Sequence, residues 1–433
     1  MNSAGAAEAQ GAISGGQIAA AVMGNALEFY DFTTYALFAV QIGNVFFPFH
    51  DGFTKLMGSL LTFGIGFVAR PIGAIVLGAV GDRMGRRPSM LLSFVLMGVG
   101  IIGLVLIPPY AAIGPAAPAL LVLCRLIQGF ALGGEVGPTT AFLIEAAPTR
   151  SRALIGSWQS ASQAVASLVG AVIGFAMSHA LTPHDLESFG WRVAFGLGAI
   201  VLPFGLILRR RLPETLHRPD TISAADVEPG AASLLRPILV GLAMIMSFTT
   251  STYVLLYMTT YATQTLHIAI KDSFGPSVAN GISGIVFALL GGWLADRYGR
   301  KPVMITARTL LLLVTWPAFA LIVANRDPVT LTVATGVISA CSSTSVGVAL
   351  VALTESLQKN VRSTAMAVIY AVAVTVFGGL AQPLISKVIE VTHNPMAPAW
   401  YLMAAAAIGI TAMSFLRETH PAKVAALTAA DFA

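Results

Sequence analysis

Arg70, Arg125 and Arg308 each stand inside a long apolar run. A guanidinium at the centre of a hydrocarbon layer costs at least about 2.5 kcal/mol on insertion scales, so such a residue faces a cavity or a buried partner. Its planar fork fits a carboxylate through two parallel hydrogen bonds. Arg70 and Arg125 are therefore candidate anchors for an anionic ligand. Their other reading is a structural ion pair with Glu28, Asp31 or Glu135, which leaves little positive charge for a ligand.

Those three acids are the only ones, of twenty Asp and Glu, that fall well inside apolar runs. All seven His lie in loops or near run ends, so an imidazole relay through the centre is not expected. Glu28 and Asp31 are three apart, which puts them on one helix face with Asn25 and Tyr35. Glu135 follows Arg125 by ten residues, nearly three turns, and shares its face. Burial raises a carboxyl pKa and a nearby arginine lowers it, so an acid beside a movable cation can exchange a proton. Glu28, Asp31 and Glu135 are the proton-carrying candidates; permanent neutralisation of Arg70 or Arg125 is the alternative. Gln159 and Gln163 stand on a polar stripe with Gly156, Ser167 and Gly170, and Tyr253 on another with Thr249, Thr250, Tyr257 and Tyr261. Such groups can bond carboxylate oxygens, or equally join helix to helix. Gln159, Gln163, Tyr253, Asn25 and Tyr35 complete the candidate ligand-contacting set.

The elements that position these residues follow from composition. Of 433 residues, 56% are hydrophobic and 10% charged, with a mean hydropathy of +0.79. A soluble chain carries about 25% charged residues. Apolar runs of about 20 residues, long enough for a ~30 Å hydrocarbon core, recur throughout. Twelve are expected, near 17–42, 56–80, 89–109, 116–146, 152–180, 190–210, 235–262, 275–295, 303–324, 328–356, 361–389 and 398–416. The formal charge of +5 comes from short basic clusters between spans, a topology signal rather than a nucleic-acid one. With the loop after span 2 in the cytoplasm, seventeen Lys and Arg fall on that side and five on the other, so both termini are expected there. Residues 1–16 read as a disordered cytoplasmic tail; lacking Lys and Arg, they do not resemble the start of a cleavable signal peptide. Cys124 and Cys341 lie in apolar runs and indicate neither a disulfide framework nor a metal site.

One segment occurs twice. Gly81-Asp-Arg-Met-Gly-Arg-Arg-Pro-Ser-Met90 returns as Ala295-Asp-Arg-Tyr-Gly-Arg-Lys-Pro-Val-Met304, an offset of 214 residues. A repeat over half the chain implies two six-helix bundles, at 17–210 and 235–417, joined by a linker at 211–234 and followed by a tail at 418–433. Parallel repeats suit a transporter whose halves rock about a midplane site. The doubled motif and Arg125-Leu-Ile-Gln-Gly-Phe-Ala-Leu-Gly-Gly-Glu135 resemble the major facilitator superfamily. The segments 25–32, 69–78, 157–166 and 377–380 resemble, more narrowly, its metabolite:proton symporters, and among these the citrate-carrying members.

That resemblance implies an all-α fold of twelve transmembrane helices in two pseudo-symmetric bundles, placed in the plasma membrane, here a bacterial inner membrane. It implies no cofactor, a proton as coupling ion with Na⁺ as the other option, a small organic anion as ligand, lipid around the chain, and function as a monomer. It makes the repeated loop a brace between the halves, built from Asp82, Arg86, Arg87, Asp296 and Arg300, with Glu145 beside Arg152 and Glu355 beside Arg362. The expected ligand is citrate or a relative such as tricarballylate, aconitate or itaconate, imported by alternating access; a zwitterion such as betaine or proline is the alternative. Phosphate-loop, zinc-pair and nucleophile-elbow motifs are absent from the sequence, so an enzyme is not expected.

Overall fold

A computed structural model of the chain describes residues 15–84, 86–133, 140, 143–144, 147–210, 231–357, 362–420 and 423. All regular structure among them is helical. Apolar sequence in lipid must satisfy its backbone internally, and the helix does so within each segment. In chain order the longer helices are α1 (Gly15–Leu37), α2 (Ala39–Phe46), α3 (Gly52–Val68), α4 (Arg70–Met84), α5 (Arg86–Leu106), α6 (Ala116–Gly133), α7 (Arg152–Ala180), α8 (Trp191–Arg210), α9 (Ala231–Gln264), α10 (Gly275–Tyr298), α11 (Arg300–Asn325), α12 (Pro328–Ser356), α13 (Arg362–Ala373), α14 (Ala381–Thr392) and α15 (Ala397–Ser414). Nine helices among the described residues are long and apolar enough to cross a membrane.

These helices fall within the twelve expected spans, most of 134–146 in span 4 lying outside the described residues, with three breaks among the described residues that hydropathy does not mark. Span 1 breaks at Phe38 between α1 and α2, span 2 at Ala69 between α3 and α4, and span 11 at a π-helical turn, Val374–Gly378, between α13 and α14. The break in span 2 has a local cause. Pro71 has no N–H to give to the carbonyl four residues back, and its ring crowds that turn. The Phe67 carbonyl instead accepts from the Thr375 hydroxyl at 2.9 Å, in the irregular turn of span 11. A proline in one half thus creates an acceptor that the other half uses. Two expected boundaries also move. The helix of span 7 begins at Ala231, inside the stretch assigned to the linker. The stretch assigned to the C-terminal tail starts docked, because Glu418 accepts from the backbone N–H groups of Arg300 (2.9 Å) and Lys301 (3.2 Å).

Within the first half, spans 2 and 4 meet backbone to backbone. A Cβ on Gly129 would run into the Gly66 carbonyl, and one on Gly133 into the Arg70 carbonyl. Small residues drive such approach in membranes, where apolar burial gives little. Arg70 and Arg125 are brought onto neighbouring helices by this contact. Between halves, α7 packs on α10 and α12, and α3 on the π turn and α14.

Candidate functional site

Arg125 is fully buried and lies on α6, one helix away from Asp31 on α1. Its Nη1 donates to Asp31 Oδ2 at 2.9 Å and to Gln128 Oε1 at 2.6 Å. Gln128 closes the triangle by donating from Nε2 to Asp31 Oδ1 at 3.1 Å. The other edge of the guanidinium, Nε and Nη2, has no hydrogen-bond partner. It is sandwiched by rings, with its carbon 4.5 Å from the Phe32 centroid and 4.3 Å from that of Tyr35. Two parallel donors on one edge are the arrangement that grips a carboxylate side-on. Of the two sequence readings for Arg125, the ion pair is present and half of the fork remains unused.

Arg70 shares this aromatic layer. Its guanidinium carbon lies 4.6 Å from the Phe32 centroid and 4.2 Å from that of Phe67, and the Tyr253 phenol lies near it. Tyr253 reaches in from α9 and packs edge-on against Phe63 and Phe67 of α3, at 5.9 and 5.4 Å. Phe32 therefore bridges two cations, and Tyr253 joins them to the second half.

A small cavity of about 40 Å³ lies between the halves, lined by Gln163, Phe248, Thr249, Tyr253 and Tyr370 among others. That holds a few waters at most, against about 300–1,000 Å³ for typical ligand sites. Of the expected contacts, Gln163 and Tyr253 line it. Arg70 and Arg125 stand behind its wall of rings. Asn25 and Gln159 are engaged with each other: Asn25 Nδ2 donates to the Gln159 carbonyl (3.0 Å) and to Ser162 Oγ (2.7 Å), and Gln159 Nε2 returns a bond at 3.2 Å. They join α1 to α7. Tyr35 donates to the Ser59 carbonyl at 3.2 Å. Glu135 and Glu145 lie outside the described residues, as do the side chains of Glu28, Asp82, Arg86, Arg87 and Arg362.

The halves meet on both sides of the cavity. At the end carrying the second motif copy, Asp296 accepts from the N–H groups of Ala153 and Leu154, at 3.0 and 2.8 Å, which begin α7. These are orphan donors at a helix N-terminus, where negative charge is favoured. Arg300 binds Asp296 at 3.2 Å and Glu355 at 3.3 Å, and Glu355 also meets Arg152 at 3.5 Å across the halves. Glu355 therefore serves Arg300 and Arg152; its expected neighbour Arg362 falls outside the described side chains. Gly299 in this motif has φ +100°, open to glycine and strained for other residues. At the opposite end, Phe38 packs on Phe274 with centroids 5.6 Å apart, and Ser178 donates to the Lys271 carbonyl at 3.4 Å.

Gln128 was missed by sequence reasoning, although its place three residues after Arg125 put both on one face. Arg308 stands in an apolar run, and the sequence alone assigns it no task.

Two family models match the chain: Sugar (and other) transporter over residues 17–226, and Major Facilitator Superfamily over residues 276–431. The citrate-proton symporter of Salmonella typhi is 36% identical over 411 residues, covering 93% of this chain and 94% of that protein. The citrate-proton symporter of Klebsiella pneumoniae is 34% identical, covering 93% and 91%. The proline/betaine transporter of Escherichia coli K12 is 31% identical, covering 96% and 86%. Among solved structures, the proton:xylose symporter XylE bound to 6-bromo-6-deoxy-D-glucose superposes with a TM-score of 0.78 at 17% identity, covering 93% of this chain and 95% of that one.

Proposed function

The chain belongs to the major facilitator superfamily, as a multi-pass membrane transporter and not an enzyme, and from that premise we propose that it imports a tri- or dicarboxylate together with protons. Citrate is the first candidate, with tricarballylate, aconitate and itaconate close behind. The observation that carries this reading is the buried Arg125–Asp31–Gln128 triangle, with Arg70 on the other side of Phe32. Similarity to two citrate-proton symporters along most of the chain supports it.

The triangle supplies a coupling step. While Asp31 is ionised, it satisfies Nη1 of Arg125 and competes with a substrate carboxylate for the same cation. A proton on Asp31 removes that competition, and the Nε/Nη2 edge and Nη1 become available together. Losing the proton restores the internal pair and expels the substrate carboxylate. Binding and protonation thus favour one another, which symport requires. The rings of Phe67 and Tyr253 must move to connect cavity and cations, as opening of the halves would allow. The end carrying Asp296 and Arg300 is then the cytoplasmic gate, with both termini on that side, and one chain holds the whole pathway.

The proline/betaine relative raises a second reading, and the aromatic layer bears on it. Aromatic faces recognise quaternary ammonium groups. Here the faces of Phe32, Phe67 and Tyr35 are already occupied by guanidinium groups. A quaternary ammonium group would have to displace a guanidinium to stack on these faces. Uptake of labelled citrate into liposomes with an imposed pH gradient, competed by each acid and by betaine, tests the proposal. Strong competition by betaine alone would overturn it.

A further inference from the structure

Arg308 lies on α11, in the second half, and is 0% exposed. Its Nη1 donates to Ser251 Oγ at 2.6 Å, and its guanidinium carbon lies 4.1 Å from the centroid of Phe248. Among the described residues no carboxylate pairs with it. Nε and Nη2 have no hydrogen-bond partner, so the same edge is unused as on Arg125. One turn before Ser251 on the same face of α9, Ser247 Oγ is also buried and without a partner, packed against Gly409 of α15. A buried cation whose charge and donors go unanswered is strongly unfavourable, and in membrane helices such residues mark substrate paths. Phe248 is the link to function, because the ring that covers Arg308 also lines the cavity between the halves.

We propose that Arg308 is a further carboxylate anchor, reached when Phe248 turns aside, and that it separates tricarboxylates from dicarboxylates. This rests on the anion reading above and adds a third cation to it. Arg70 and Arg125 hold two carboxylates from the side of the first half. Arg308, with the hydroxyls of Ser251 and Ser247, takes the remaining carboxylate of a tricarboxylate from the second half. Phe248 closes over the cation when no such group is present, and the ring face partly replaces the missing charge. A dicarboxylate, with both its groups engaged by Arg70 and Arg125, gains nothing from moving Phe248.

The test is the ratio of inhibition constants for tricarballylate and itaconate against labelled citrate uptake, in wild type, Arg308→Met, Arg308→Lys and Phe248→Trp. Losing two charge-assisted hydrogen bonds should shift that ratio about tenfold or more against tricarballylate in Arg308→Met. Arg308→Lys, which keeps the charge and loses the fork, should shift it several-fold, and it decides the matter where the Met variant does not fold. Phe248→Trp, too bulky to turn aside, should shift it in the same direction. An unchanged ratio in the folded Arg308 variants, or equal weakening of both acids, overturns the inference and leaves the anion reading standing. A wild type that takes up no labelled citrate, tricarballylate or itaconate sinks both.

Discussion

Two buried arginines, one in each half, are treated in opposite ways. Arg125 and Arg308 are both fully buried, both stacked on rings, and both show an unused Nε/Nη2 edge. Arg125 has a carboxylate and an amide within 3.1 Å of its triangle, supplied by its own half. Arg308 has one hydroxyl and one ring. A cation that carries its own counter-charge can be switched by a proton on that acid. A cation without one can only be answered by charge that arrives from elsewhere. In the proposed reading, the first half therefore holds the coupling chemistry and the second reports on the size of the anion.

The largest expected effect falls on Arg125. Arg125→Ala should abolish uptake at normal membrane levels, because it removes the anchor and leaves Asp31 buried without its partner. Breaking a buried pair costs about 3–5 kcal/mol, enough to empty the site or distort the bundle. A double variant, Arg125→Ala with Asp31→Ala, separates those causes: it should restore thermal stability and not uptake. Arg125→Lys should recover little, since a point charge does not reproduce the fork. Wild-type uptake in Arg125→Ala at equal expression removes this residue from the site.

Next comes Asp31→Asn, which holds the shape of the triangle and cannot change charge. It should keep substrate exchange and lose accumulation against a gradient, because Arg125 is then permanently released. The pH dependence of exchange should flatten in the same variant. If Asp31→Asn still concentrates substrate, the proton is carried elsewhere, and Glu28 and Glu135 become the acids to substitute.

Much of this comparison was legible in the sequence. The twelve spans follow from apolar runs, and the two halves from a motif repeated 214 residues apart. Asp31 and Arg125 were both marked by their cost in hydrocarbon, and their pairing was one of several open choices. Sequence spacing relates residues along one helix and says nothing of which helices touch, so the choice needed the fold. The same limit hid the partners of Arg308: Ser251 and Phe248 lie on another helix, 57 and 60 residues away. Asn25 and Gln159 show the same limit, since polarity and helix face mark each as ligand-contacting, while only the fold shows that they are joined to each other. The breaks at Phe38, Ala69 and Val374–Gly378 leave hydropathy unchanged and were invisible to it.

At the motif end the comparison is sharpened by Asp296, which belongs to the second half and caps the first turn of α7 in the other. Asp296→Asn keeps the size and loses the charge that favours a helix N-terminus, a loss of about 0.3–1 kcal/mol, with some further weakening of the Arg300 pair. Transport should slow several-fold with equilibrium binding intact, because the contact holds one conformation and touches no substrate. Loss of binding itself would place this loop in the site.

The smallest effect is expected where the halves meet at the break in span 2. The Phe67 carbonyl lost its usual helical donor because Pro71 follows four residues later, and Thr375 provides one from the other half. Thr375→Val keeps the branched shape and removes the hydroxyl, so the carbonyl loses that hydrogen bond and the closed form loses about 1 kcal/mol. Pro71→Ala offers the carbonyl a donor within its own helix, which makes the Thr375 hydroxyl redundant. The two substitutions should therefore not add: Thr375→Val should change the transport rate severalfold in the wild-type background and very little in Pro71→Ala. Equal effects in both backgrounds would mean that Pro71 only shapes the helix and that the bond across the halves does not depend on it.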